Sequence, residues 1–163
     1  MLQKRQIIED GPIPPLPRRA PRQGDDVLGV SFFRTLVGDA SFDRLCLPRT
    51  FFGRSEIRSS SFRDADLSES TANWNDFIDV DFERADLSRC DLRGCNFERA
   101  RFVRATLIGA DLRRCGFVGC DFAEAILDGA HLTRAAGDSL NLSSGQRAVI
   151  AWHVDDGDEP EGG

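Results

Sequence analysis

Cys90, Cys95, Cys115 and Cys120 form two C-x₄-C units whose first cysteines lie 25 residues apart, and these thiols are the side chains of this sequence best suited to chemistry. Four thiolates at about 2.3 Å from one point would hold a structural zinc ion, and two brought together would make a redox pair. A fifth cysteine, Cys46, stands alone. An odd thiol count, with no apolar leader in MLQKRQIIEDGPIPPLPRR, predicts a reducing, cytoplasmic setting. His131 and His153 have no nucleophile or acid set beside them by any recognisable motif. The sequence has no glycine-rich phosphate loop, no metal-ligand spacing and no apolar run of membrane-spanning length. The expectation is therefore a chain that is not an enzyme, takes no cofactor or metal, and has no membrane contact.

Whether the cysteines meet depends on the elements that carry them. Counting in fives from Phe32 to Leu132 gives 21 positions, all apolar, with Ala72 the only small one. At 40% hydrophobic content, chance would produce such a run on the order of once in 10⁸. Two residues before each lies a second restricted position, which from 65 to 135 holds Ala, Ser, Cys or Val except at Asn75. The remaining three positions of each five carry nearly all the charge. Neither a helix of period 3.6 nor a strand of period 2 has this repeat. A chain that turns a corner every five residues does, with one large and one small side chain inward on each side.

The segments FRDADLSES, FERADLSRCDLRGCNFERARF and LIGADLRRCGF resemble the A-(D/N)-L-x-x pattern of pentapeptide-repeat proteins, over residues 27–142. That resemblance implies an all-β fold, a right-handed quadrilateral parallel β-helix with four pentapeptides to a coil. Residues 20 apart then stack, and the columns sort by chemistry. One is Phe42, Phe62, Phe82, Phe102, Phe122, and another is Leu47, Leu67, Leu87, Leu107, Leu127. A third is Val37, Ile57, Phe77, Phe97, Phe117, and the fourth runs Phe32, Phe52, Ala72, Leu92, Leu112, Leu132. In this frame Cys95 and Cys115 share one face, while Cys90 and Cys120 fall on the two faces flanking it. The four sulfurs cannot converge on a metal, so buried, inert thiols filling the small inward position are expected.

Outside the core, Asp66, Asp81, Asp86, Asp91, Asp111 and Asp121 read as solvated turn residues just before each central Leu or Phe. Residues 51–134 hold 15 acids against 12 Arg, a mixed-charge surface. In STANWNDF, Ala72 and Asn75 break the repeat and Trp74 points outward. Trp74 is either an anchor for a partner or lies flat over Arg54 and Gly94. Outward Ile78, Val103, Ile108, Val118 and Ile126 are scattered over three faces. Residues 1–26 are expected to form an extended arm whose PPLPRR stretch resembles an SH3 ligand. Residues 143–154 are expected to form a helical cap starting at Ser143 or Ser144, with Val149, Ile150 and Trp152 available to dimerise. The acidic stretch 155–163 is expected to be disordered.

The resemblance also implies function. The best-understood members of the family are quinolone-resistance and antibiotic self-protection proteins, dimeric rods that mimic duplex DNA on DNA gyrase and topoisomerase IV. On that reading the protein does not itself bind nucleic acid, and Asp66, Asp76, Asp81, Asp86, Asp91 and Asp111, with Trp74, contact the partner. The alternative is a scaffold or adaptor that binds another protein. A continuous acidic stripe would favour the mimic, and interspersed charge the adaptor.

Overall fold

The computed structural model describes residues 31–154 and one strand nearer the N-terminus, β1 (Gln6–Ile8). The proline-rich stretch at 12–19 and the acidic stretch 155–163 lie outside the described residues. From residue 31 the chain winds as a β-helix in which each coil takes 20 residues, so Leu36, Val37 and Gly38 lie beside Glu56, Ile57 and Arg58. The four sides are numbered in chain order. Face 1 carries the inward column begun by Phe32, face 2 that of Val37, face 3 that of Phe42 and face 4 that of Leu47. Faces 1 and 3 are opposite each other, as are faces 2 and 4.

On faces 1 and 2 the short strands are β2 (Ser31–Phe33), β3 (Thr35–Gly38), β4 (Phe51–Gly53), β5 (Glu56–Arg58), β6 (Asp76–Ile78), β7 (Asn96–Glu98) and β8 (Gly116–Val118). β1, β3, β5, β6, β7 and β8 form one parallel sheet on face 2, in that order. Faces 3 and 4 are held by isolated parallel bridges such as Ser61 to Asp81 and Asp66 to Asp86. The large inward residues are buried as the count in fives requires, with Phe62, Phe102 and Leu107 at 0% exposure, except Phe117, which is half-buried. Phe rings stack up face 3 at centroid spacings of 4.6 Å (Phe42–Phe62) and 5.1 Å (Phe82–Phe102). They meet face 2 edge-on, as Phe97 does Phe102 at 5.2 Å. Offset stacks and T-shaped contacts are the arrangements that aromatic quadrupoles favour.

Each coil turns its corners through a residue in the left-handed region. Arg34, Arg54, Trp74, Arg84 and Asp64 have φ between 50° and 58°. Such a backbone costs an L-residue of order 1–3 kcal/mol, and the chain offsets this by bracing the corner from the previous side chain. Ser68, Glu83, Ser88, Arg93, Arg113 and Ala123 donate their backbone N–H to the carboxylates of Asp66, Asp81, Asp86, Asp91, Asp111 and Asp121. The expected turn acids thus act as local braces two residues upstream of the N–H they bind.

Asn75 does not break the repeat. Its side-chain oxygen accepts from Ser55 N–H at 2.7 Å and its amide donates to Phe52 C=O at 2.8 Å, while Ser55 Oγ accepts in turn from Thr35 N–H. Thr35, Ser55 and Asn75 therefore form a buried ladder in the small inward column of face 2.

The regular β-helix ends earlier than 142. After β9 (His131–Thr133) comes α1 (Arg134–Asp138), then α2 (Ser144–Val149), then β10 (Ala151–His153). β10 lies on β9 in parallel with Trp152 beside Leu132, so the 20-residue register survives one more coil, although helices replace strands within it. Ser143 caps α2 in a reciprocal capping box with Gln146. Gln146 Nε2 then donates to Phe122 and Ala125 carbonyls of the last full coil. No helix among the described residues is long and apolar enough to cross a membrane.

Candidate binding faces

Because the inward residues are fixed by packing, any functional variation lies on the outward positions, and these differ from face to face. Face 1 (31–34, 51–54, 71–74, 91–94, 111–114 and 131–134) carries six Arg against two Asp, a net +4. Face 2, from 36–39 to 116–119, carries two Arg against five acids; face 3, from 41–44 to 121–124, five against six; face 4, from 46–49 to 126–129, two against four. Their nets are −3, −1 and −2. The charge is therefore sorted by side.

Face 1 also holds the exposed aromatic rings: Phe33 at 47%, Phe51 at 39% and Trp74 at 57%. Phe33 and Phe51 stack against each other at 6.2 Å over Gly53, where a Cβ would come within 2.6 Å of Phe51. Trp74 lies flat on Gly94, whose φ is +70° and whose Cβ, if present, would sit 2.5 Å from the indole. The flat placement over Gly94 is as expected, but among the described residues Trp74 has no cation–π partner; such contacts occur at Phe33 with Arg34 and at Trp152 with Arg134 and Arg147.

On faces 2, 3 and 4 the charges answer one another along the columns. Arg84 binds Asp64 at 2.7 Å and Glu83 at 2.8 Å, Arg99 binds Asp79 at 2.6 Å and Arg104 binds Glu124 at 3.1 Å. Glu83 lies beneath Arg63, Arg84 and Arg101 rather than in the core. Hydrogen bonds from Arg84, Arg99 and Arg63 hold the carboxyls of Asp64, Asp79 and Glu83 below their ordinary range. On face 1, Arg93 does the same for Asp91, while burial opposes the lowering at Asp111 and Arg113 outweighs it.

The six candidate partner-contacting acids divide accordingly. Asp81 pairs with Arg101 at 2.8 Å, Asp91 with Arg93 at 2.8 Å and Asp111 with Arg113 at 2.8 Å. Among the described residues, Asp66 and Asp86 on face 4 bind uncharged donors, Ser68 and the Cys46 thiol at the first and Ser88 at the second. Asp76 on face 2 accepts from Asn96 at 2.9 Å. The structure does not gather the six into one stripe.

The cysteine layout follows the sequence frame. Cys90, Cys95, Cys115 and Cys120 each donate to the carbonyl 23 residues back, those of Leu67, Ala72, Leu92 and Phe97, so the thiols serve backbone groups and do not meet. Burial pushes Cys90 and Cys95 up to about 12. Cys115 and Cys120 correct the expectation of four buried thiols: both are half-buried. The cause is β8, which ends the face 2 sheet because α1 replaces the next strand; Val118 is 65% exposed there. Cys46, outside the inward register, is nonetheless buried, with its thiol 4.0 Å from Asp66.

At the C-terminal cap, the residues named for dimerisation pack largely against the chain itself. Ile150 is 6% exposed and packs into the chain's own core, and Trp152 is half-buried over Gly137, with its indole N–H donating to Arg147 C=O at 2.9 Å. Of the three residues offered for dimerisation only Val149 stays at the surface. His131 and His153, far apart in sequence, face each other across β9 and β10 with Nδ1 and Nε2 2.9 Å apart. Their separation of 22 residues, one coil plus two positions, is the signal that would have paired them.

Coils of 20 residues, large and small inward residues in alternation, and left-handed corners define a pentapeptide-repeat β-solenoid. The family model for pentapeptide repeats (8 copies) matches residues 81–117 and 115–146. The pentapeptide-repeat match thus covers residues 81–146 of this chain. Among solved structures it is similar to trypsin-treated QnrB1, a plasmid-mediated fluoroquinolone resistance protein, with 20% identity over 76% of this chain and 67% of that one, at a TM-score of 0.50. It is also similar to HetL, involved in heterocyst differentiation regulation in the cyanobacterium Nostoc, with 23% identity over 61% of this chain and a TM-score of 0.37. The match spans 48% of HetL, about half its length. A thylakoid-lumen protein of Arabidopsis thaliana matches at 25% identity over 77% of this chain and 74% of its own, with a TM-score of 0.30. Among curated proteins none matches.

Proposed function

We propose that this chain is a non-enzymatic adaptor, a rod that docks another protein through its outward residues. The observation that carries this reading is the sorting of charge by side: +4 on face 1 with three exposed rings, against −3, −1 and −2 on the others. A DNA mimic calls for a continuous acidic stripe, and here three of the six candidate acids are neutralised by Arg101, Arg93 and Arg113. Face 1 supplies what protein interfaces favour, Arg and exposed aromatic side chains on one surface. The test is affinity capture with paired variants. Arg54→Glu with Arg134→Glu should lose the specific partner, and Asp66→Lys with Asp86→Lys should keep it. Loss in the second pair alone would reject face 1 as the docking side.

A second reading has its own observation. Faces 2, 3 and 4 together carry −6, and the likeness to QnrB1 extends over most of the rod. If the protein acts on a type II topoisomerase, DNA gyrase or topoisomerase IV, in antibiotic resistance or self-protection, the acids that matter are the uncompensated ones. In a gyrase supercoiling assay, charge reversal at Asp66, Asp76 and Asp86 should abolish the effect of the protein, and reversal at Asp81, Asp91 and Asp111 should not. No effect of the wild-type protein at tens of micromolar would reject this reading. A homodimer through the cap would place its contact at Val149, and Val149→Glu should then halve the solution mass.

A further inference from the structure

We infer that His131 and His153 form a two-imidazole site for a divalent transition-metal ion of the Zn²⁺, Ni²⁺ and Cu²⁺ class, and that the bound ion clips the last strand to the solenoid. The chain has two histidines, and the fold brings them into contact from 22 residues apart. His131 Nδ1 and His153 Nε2 are 2.9 Å apart, with ring centres at 5.2 Å and a tilt of 44° between the ring planes. Both side chains are half-buried on the outer side of the last two rungs of face 1. Two neutral imidazoles this close share one N–H, which one ring donates and the other accepts. Both nitrogens are therefore turned towards one place, and a proton holds it.

A metal ion fits that place. On a tetrahedral ion with Zn–N bonds of about 2.0–2.1 Å, two imidazole nitrogens stand about 3.3 Å apart and their ring centres roughly 5.2 Å apart. The ring centres already have that separation. The rings need only pivot until the nitrogens part by about 0.4 Å, given those bond lengths. The shared proton then moves to the other nitrogen of the donor ring, so both imidazoles stay neutral. That nitrogen is open to take it, because His131 Nε2 and His153 Nδ1 have no hydrogen bond to any described residue.

Paired strands hold both ligands. β10 lies on β9 with His153 beside Thr133, and Ala151 N–H donates to Ala130 C=O at 2.9 Å. The Trp152 indole is tied to Arg147 C=O, and His131 is bridged to Asp111 in the coil beneath. Ligands on strands are placed more precisely than ligands on loops. Asp111 does not add a third ligand, because Arg113 binds both of its oxygens, at 3.0 and 2.8 Å. Among the described residues no three His, Cys, Asp or Glu side chains are set to hold a metal, so water completes the coordination. The site is thus open and its ion exchangeable, unlike a closed four-ligand structural zinc. Nitrogen ligands select against Mg²⁺ and Ca²⁺, which take oxygen, and Cu²⁺ should bind more tightly than Ni²⁺ or Zn²⁺. The ion ties His131 to His153 across the segment that contains α1 and α2, and so holds the cap closed. The clip does not depend on what face 1 docks.

The test titrates the full chain, free of any affinity tag, with ZnCl₂ near pH 7.5, where imidazole ligands are neutral, and follows the imidazole ¹⁵N resonances. Zn²⁺ should shift His131 Nδ1 and His153 Nε2 saturably, and Mg²⁺ should shift neither. His131→Gln and His153→Gln should each weaken binding at least about ten-fold. Cys115→Ser with Cys120→Ser should leave it unchanged. At free Zn²⁺ about ten times its Kd, the open population of the cap should fall about eleven-fold. Hydrogen exchange at the Ala151 amide should slow by that factor in the wild type and stay unchanged in His153→Gln. Absence of saturable binding below about 1 mM Zn²⁺ would overturn the inference. So would binding that survives His153→Gln, or shifts centred on Cys115, Cys120 or carboxylates with the imidazoles unmoved.

Discussion

Faces 1 and 3 stand on opposite sides of one core and are built on nearly the same backbone, yet their outer surfaces follow different rules. On face 3, five Arg and six acids interlock between coils, as Arg84 does with Asp64 and Arg104 with Glu124. On face 1 the arginines outnumber the acids by four, and the rings of Phe33, Phe51 and Trp74 are exposed among them. A pentapeptide period constrains only two positions in five. The other three are free to be spent on solubility, as on face 3, or to be left unmatched for binding, as on face 1.

The largest effect should come from the layer that both faces share. Phe102 is fully buried between Phe82 and Phe122, and Phe102→Ala should destabilise by about 3–5 kcal/mol in denaturant unfolding. Leu112→Ala, its counterpart beneath face 1, should cost about 2–5 kcal/mol. A negligible cost for either would break the comparison at its root, since the two faces would no longer share a core. Asn75→Ala should cost about 1–3 kcal/mol, because it leaves Ser55 N–H and Phe52 C=O buried without their partner. A neutral result would restore Asn75 as a mere interruption of the repeat.

Acid titration sharpens the contrast at the surface. Asp64 and Glu83 are held below their ordinary range by Arg84 and Arg63, so just below about pH 4 the unfolded chain binds more protons than the folded one. The stability these pairs contribute is present at neutral pH and is lost as pH falls through the lowered values. Arg84→Ala should flatten that acid-side loss by releasing Asp64, and Arg54→Ala should leave it unchanged. The smallest effect is on stability itself at pH 7, where Arg54→Ala should cost under about 0.5 kcal/mol. Arg84→Ala should lower the melting temperature more than Arg54→Ala does.

The fold was legible because burial acts on every fifth residue, and the Phe and Leu columns spell out the 20-residue coil in the amino-acid order itself. The site was less so. Asp81 and Asp66 occupy the same type of position, and only the coils above decide that Arg101 neutralises one and that Asp86 and then Thr106 stand over the other, which has no ion pair to any described residue. Sorting charges by face needed the same register that sorted Phe from Leu, applied to the outward residues. The cap was hidden for a different reason. Gly137 and Arg147 interrupt the count in fives, although Leu142 and Trp152 keep it, so the last coil reads as the end of the repeat. Half-burial of Cys115 and Cys120 follows from α1 standing where a strand would have covered β8, which no local pattern in the sequence announces.

The unequal charge of the faces can be measured directly. Paramagnetic cosolutes of opposite charge report the near-surface potential at each backbone amide through the ratio of their relaxation effects. In the full chain, amides of Arg54, Trp74, Gly94 and Arg134 should report positive potential. Those of Ile57, Ser68 and Phe77 should report negative potential, and those of Arg84 and Arg104 should lie near zero. A potential that is negative all the way round the rod, or one that does not change between faces 1 and 3, would contradict the account.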